Sequence, residues 1–244
     1  MRNNSVLKNI SEVHQASEQL KSLGLFPHHD WIKSWDTYKM VDIIMRTCKK
    51  NSFLLDIGCN GSPLLPMFAR LSFRNLYGCD LYLKRNISQL SKIYHHFYKK
   101  EYRPIIEMNH SNDYNLSIQD LRRTSFRDES FDCITSLSVI EHGINIRSYL
   151  KEASNILKKN GLLLTSTDYW PQKISLNSTT KDNHTDCFDN IFSRQEIENM
   201  IEIARDHKLV LTEPIDFSYK ERIAYWKAYK LRYTFMFFIL RKSE

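Results

Sequence analysis

Asp56, Gly58, Asn60 and Gly61 fall in one run, FLLDIGCNGSPLLPMF (53–68), where apolar residues lead into an acid, a turn with two glycines and a second apolar run. That order describes a buried strand, a tight turn and a helix start. Small residues in such a turn let a ligand approach the backbone, and the helix that follows offers unpaired N–H groups. The chemistry on offer is therefore ligand binding at a strand's C-terminal end. Twenty-four residues beyond Asp56, NLYGCDL (75–81) is another short apolar run ending in an acid, Asp80. A carboxylate placed there can accept hydrogen bonds from both hydroxyls of a ribose, which points to a nucleoside-bearing ligand. A dinucleotide fits less well, because the pattern G-x-G-x-x-G would need glycines where Asn60 and Pro63 stand.

A second group of residues could move protons. Glu141 and His142 open a helix just after the apolar run FDCITSL (131–137). An imidazole with its ordinary pKa of about 6.5 can take a proton from an alcohol, although a hydrogen-bonded structural histidine is the competing assignment. Asp168, Tyr169 and Trp170 follow GLLLTST (161–167) and could shape an acceptor pocket, with Asp168 as alternate base. Asp182, His184 and Asp186 alternate in a way that could ligate a metal, but three ligands on one polar loop without supporting Cys or His spacing read as solvated residues, and no metal is expected. The pairs His28–His29 and His95–His96 are given no functional role.

Positioning these groups falls to alternating strands and helices, the pattern of a mostly parallel sheet with helices on both faces. Strands are expected near 52–57, 75–79, 114–119, 131–137, 161–167, 208–215 and 233–241. Helices are expected near Ser11–Leu23, Trp31–Lys50, Asn86–Lys100 and Arg147–Leu157. In the second of these, Trp31, Trp35, Tyr38, Val41, Ile44 and Met45 recur at helical intervals and predict an apolar stripe packed on the sheet; closure of Trp35 or Tyr38 over a ligand is the alternative. The division expected is a helical N-terminal region over 1–50, packing on a core domain over 51–244.

Five ordered blocks make the chain resemble a class I S-adenosylmethionine-dependent methyltransferase of the methyltransferase type 11-like family. They are LLDIGCNGSPL, YGCDL, IQDLRRTSFRDESFDCITSLSVIEHG, ILKKNGLLLTSTDYW and YTFMFFILRK, spanning about 50–242. Asn60 and Ser62 stand where that family more often has glycine. The resemblance implies a Rossmann-like α/β fold with a seven-stranded sheet of order 3-2-1-4-5-7-6, the seventh strand antiparallel. It also implies S-adenosyl-L-methionine as cofactor. Asp56, Gly58, Cys59 and Asn60 would lie at its amino-acid end, Asp80 and Leu81 at the ribose, Asp120 and Leu121 at the adenine, and Ser136 at the methionine part. Asp132 is expected to have a structural role at a strand entrance. His142 and Asp168 are the candidate catalytic residues. The implied activity is methyl transfer to a small-molecule or saccharide acceptor at a hydroxyl; the saccharide leaning comes from the similarity of SVIEHG and STDYW to methyltransferases associated with surface-glycan gene sets.

Composition sets the competing function classes. At 244 residues with 42% hydrophobic residues, the chain can bury a core of single-domain size. Its formal charge of +7 keeps an RNA acceptor, tRNA in particular, as the alternative, with a catalytically inactive cofactor-binding regulatory module as the third. The basic residues read as scattered, the densest groups being pairs such as Lys99–Lys100 and Lys158–Lys159, with no clustered basic stripe among stacking aromatics. Five cysteines without C-x-x-C spacing argue against a disulfide framework or zinc site and for a reducing, cytoplasmic setting. The longest apolar stretch, Phe235–Leu240, is far shorter than the roughly 20 residues of a membrane span. The irregular run Tyr169–Phe188 is the candidate acceptor loop.

Overall fold

A computed structural model describes residues 3–81, 83, 107–111, 114–174, 190–227 and 229–244. In chain order its first elements are β1 (Ser5–Val6), α1 (Ile10–Ser22), α2 (Ser34–Thr47, after a 3-10 turn at Trp31–Lys33), β2 (Phe53–Ile57), α3 (Leu64–Arg70) and β3 (Asn75–Asp80). They are followed by β4 (Glu107–Ser111), β5 (Tyr114–Ile118), β6 (Phe131–Leu137), α4 (Ile146–Ile156) and β7 (Leu157–Tyr169). The last are α5 (Arg194–Asp206), β8 (Leu209–Leu211), β9 (Ala224–Trp226) and β10 (Leu231–Lys242).

The sheet runs β1-β10-β7-β6-β2-β3-β5-β4, with β8 and β9 also paired to β10. Strands β5, β3, β2, β6 and β7 are parallel, and β10 is antiparallel to β7. Counting only the seven strands foreseen from the sequence, the order is 3-2-1-4-5-7-6. The strand number is a correction: among the described residues the sheet has ten, because β1, β4 and β9 join it. β1 and β9 are two and three residues long, too short to carry a readable alternation.

Strict alternation builds two cores. On β10, Phe235, Phe237 and Ile239 face the core shared with α1, α2 and α3, while Met236, Phe238 and Leu240 face the core shared with α4 and α5. Each fully buried side chain of this size contributes roughly 1.5–3 kcal/mol. Helix ends are fixed locally: the Asn9 side chain caps α1, and Ser193 and Glu196 form a reciprocal capping box on α5. The stripe expected on α2 holds in its centre, where Trp35, Val41 and Ile44 are fully buried. It fails at its ends: Trp31 lies in the 3-10 turn rather than the helix, and both it and Met45 are exposed.

The expected helix over 86–100, His95, His96, Asp182, His184, Asp186 and most of the acceptor loop lie outside the described residues.

Candidate functional site

The parallel strands end together on one edge of the sheet, where ligands bind in open α/β folds. At the centre of that edge Asp56 is fully buried, on the face opposite Leu55 and Ile57. Its Oδ1 accepts a 2.7 Å hydrogen bond from the Thr135 hydroxyl on β6, and its Oδ2 is buried without a partner. Burial pushes its pKa up to about 7, with the hydroxyls of Thr135 and Ser62 pulling the other way. An unpartnered buried oxygen suits an N–H donor from a ligand.

The turn after Asp56 is held by backbone geometry. Gly58 has φ +66°, and a Cβ there would lie 2.4 Å from Cγ2 of Val139, so the β6 loop closes against the bare glycine. The Asn60 N–H donates to Oδ2 of Asp80 at 3.0 Å, joining the two predicted motifs. The Cys59 N–H donates to the Cys79 carbonyl at 3.2 Å, and burial pushes both thiols up, leaving them neutral packing groups. Asp80 is half-buried at the tip of β3, and Leu81 beyond it is exposed.

The two residues foreseen beside an adenine are placed differently from one another. Asp120 is buried and engaged by Arg122, which donates from Nη2 at 2.7 Å, from Nε at 3.0 Å and from its backbone N–H at 2.9 Å. Leu121 points into the second core. Ser136 is fully buried on β6 beside its β7 neighbour Thr165, and the hydroxyls of both face that of Tyr149 on α4.

A second polar cluster lies over the ends of β6 and β7. Asp36 on α2 is fully buried, accepting from the Thr37 N–H at 2.9 Å and from the Ser166 hydroxyl at 2.5 Å. Burial raises its pKa to about 6 against the opposing charge of Lys33. Lys33 hydrogen-bonds Ser138 and lies 4.3 Å from the Phe235 ring centroid. Burial disfavours its ammonium, but Asp36, Asp168, Glu141 and Asp30 outweigh that and raise its pKa above the usual lysine value. Glu141 is buried, accepting from the Thr167 hydroxyl at 3.1 Å.

Asp168 belongs to this cluster. Its Oδ1 is buried without a partner, and burial, then the charge of Glu141, raise its pKa to about 7. Lys33, the Tyr233 hydroxyl and His142 each favour its ionised form. His142 is exposed, in the turn after β6, with its N–H on the Val139 carbonyl at 3.2 Å. The two candidate bases are therefore close enough to influence one another. Lys33, Asp36 and Tyr233 were missed in the sequence, because the first two sit inside an apolar stripe and the third opens an apolar strand. A charged pair three residues apart amid aromatics, WIKSWDTY (31–38), was the available signal.

Comparison with known proteins bears on the family and the fold. A family model described as a methyltransferase domain matches residues 32–204. A ubiquinone biosynthesis O-methyltransferase of Pelagibacter ubique is 32% identical over 118 residues, covering 48% of this chain and 42% of that protein. The chain thus matches less than half the length of the two curated relatives found. Among solved structures, the [4+2]-cyclase SpnF superposes with a TM-score of 0.59 at 14% identity, covering 98% of this chain and 99% of SpnF. The 1,6-didemethyltoxoflavin-N1-methyltransferase of Burkholderia thailandensis, solved with 1,6-didemethyltoxoflavin and S-adenosylhomocysteine, gives 0.53 at 14% identity, covering 98% and 92%. One fold thus carries different reactions. The family match spans most of this chain, which belongs to the methyltransferase-domain family, the S-adenosylmethionine-dependent class I enzymes.

Proposed function

We propose that the chain methylates a hydroxyl of a small-molecule acceptor, a saccharide being one candidate class, at the ends of β6 and β7. The observation that carries this reading is Asp168: a carboxyl with one buried, unpartnered oxygen and a pKa raised to about 7, beside His142. Such a group changes protonation near neutral pH, as a base for an alcohol must. That two relatives are O-methyltransferases of ubiquinone biosynthesis supports an oxygen acceptor.

The cofactor-side residues fit S-adenosylmethionine. Asp56 would take the ammonium of its amino-acid end on Oδ2, with the turn at Gly58, Cys59 and Asn60 and the buried Ser136 beside the methionine part. Asp80, with Leu81 next to it, would accept from the ribose hydroxyls. Asp120 could accept an adenine amine only by sharing its oxygens with Arg122, so the backbone at Leu121 is the better adenine contact. When bound, the cofactor supplies a methyl group on a positively charged sulfur, which leaves as a neutral thioether. The protein then has to align the acceptor oxygen, keep water out and receive one proton. Asp168 Oδ1 receives that proton, His142 and Lys33 tune how readily it does so, and Asp36 holds Lys33 against the sheet.

The test is transfer of labelled methyl from S-adenosylmethionine to catechols, hexoses and nucleotide sugars, with tRNA in parallel. Label in a hydroxyl compound supports the proposal. Label in tRNA alone would replace it.

A further inference from the structure

From Tyr219 to Arg232 the fold gathers Lys220, Arg222, Lys227, Lys230 and Arg232, all exposed, among Tyr219, Tyr225, Trp226 and Tyr229. In sequence these cations are spaced irregularly; pairing of β9 with β10 brings Lys227, Lys230 and Arg232 onto one hairpin, with Arg232 opposite Tyr225 and Leu231 opposite Trp226, while Lys220 and Arg222 lie in the segment that leads into it. Among the described residues none of the five cations makes an ion pair. Three acids of the neighbouring segment are engaged elsewhere: Glu221 accepts from the Ile10 N–H at 3.1 Å, Asp216 pairs with Lys8 at 2.6 Å, and the Glu213 carboxyl takes the N–H groups of Asn3 and Asn4. No direct ion pair among the described residues therefore screens these cations. The rings are interleaved with it: Arg222 lies 4.0 Å from the Trp170 centroid, Arg232 lies 5.2 Å from Tyr225, and Trp226 meets Tyr229 edge-on at 4.5 Å. Tyr225 is 51% exposed.

The hairpin also runs past the end of β7. The last β7–β10 pair is Tyr169 with Thr234, so residues 231–233 are paired only with β9, beyond the end of β7. We propose that this hairpin docks the protein on an anionic phospholipid surface, with the lysines and arginines on lipid phosphates and Tyr225, Trp226 and Tyr229 at headgroup level. Interfacial aromatics flanked by Lys and Arg match both the charge and the polarity gradient of such a surface. A single-stranded nucleic acid favours a groove with bare ring faces for base stacking. Here guanidinium groups lie over the rings of Trp170 and Tyr225, which leaves fewer bare faces for bases. The proposal does not rest on the acceptor assignment.

The experiment is sedimentation of the full chain with vesicles of phosphatidylcholine alone or mixed equally with phosphatidylglycerol, over a salt series. Binding is expected only to the mixed vesicles, weakening as salt rises. Lys227→Gln, Lys230→Gln and Arg232→Gln together should lower partitioning about 100-fold, about fivefold per cation. Lys151→Gln, Lys159→Gln and Arg205→Gln, which remove the same charge elsewhere, should leave it largely intact. Trp226→Ala should weaken it at unchanged net charge, and unchanged melting temperatures would show that every variant is folded. Absence of binding to anionic vesicles, equal losses in both triple variants, or a hairpin triple that loses only retention of a single-stranded RNA oligonucleotide would each overturn the proposal.

Discussion

The backbone N–H of Asn60 reaches Oδ2 of Asp80 at 3.0 Å, so the carboxylate proposed for the ribose also holds the turn proposed for the amino-acid end. The two half-sites share one hydrogen bond.

Asp80→Ala should therefore weaken S-adenosylhomocysteine binding by about 10- to 100-fold, the worth of one or two charge-assisted hydrogen bonds. Asp80→Asn, which keeps an acceptor for Asn60, should lose less. Calorimetric titration of the three proteins decides it: equal affinities would remove Asp80 from the cofactor site, and equal losses would mean that only its charge matters.

Proton transfer to Asp168 requires its ionised form. With a pKa of about 7, kcat/KM should climb as pH rises to about 7 and then level off. Asp168→Asn should abolish that limb and lower kcat about 100-fold. His142 and Lys33 both favour the ionised form, so His142→Ala and Lys33→Gln should shift the limb to higher pH. Rate profiles from pH 5.5 to about 9 check this; a limb that survives Asp168→Asn would assign the proton to another group.

Asp56 makes stability depend on pH. Because its folded pKa, about 7, lies above the ordinary value of 3.8, the folded chain holds the proton more tightly than the unfolded chain. The stability this supports is present at low pH and is lost as pH rises from 3.8 through about 7. At pH 8 the shift corresponds to as much as about 4 kcal/mol, of which an asparagine amide lacking a partner would take back part. Asp56→Asn should thus melt a few degrees higher than the wild type at pH 8 but not at about pH 4, while losing cofactor affinity. Melting curves at the two pH values test it, and a variant less stable at both would point to a carboxylate satisfied by groups in the chain.

The sheet was legible where side chains repeat every second residue over five or more positions. Residues 131–137 were expected as a strand and form one, and Phe235 to Leu240 divide between two cores as a central strand should. The glycine turn was legible because only glycine tolerates the approach of Val139 to Gly58. Short partners were not, since Ser5–Val6 has no periodicity to read. Nor was the acid cluster: Asp36 meets Ser166 across 130 positions of sequence, and only packing of α2 over β7 brings them together. The cationic hairpin escaped notice for a related reason, its charges being adjacent in space while irregular in sequence.

The outer edge of β10 is shared end to end: Ser5 and Val6 pair with Phe237 and Met236, and β8 pairs with Leu240, Arg241 and Lys242. Between them the Asn4 side chain accepts the Ile239 N–H at 2.9 Å. TFMFFIL (234–240) combines apolar side chains with neither charge nor proline, the composition of segments that stack into cross-β aggregates when their backbone is open. Asn4, Ser5 and Val6 thus act as a gatekeeper, closing off a stretch suited to template self-assembly.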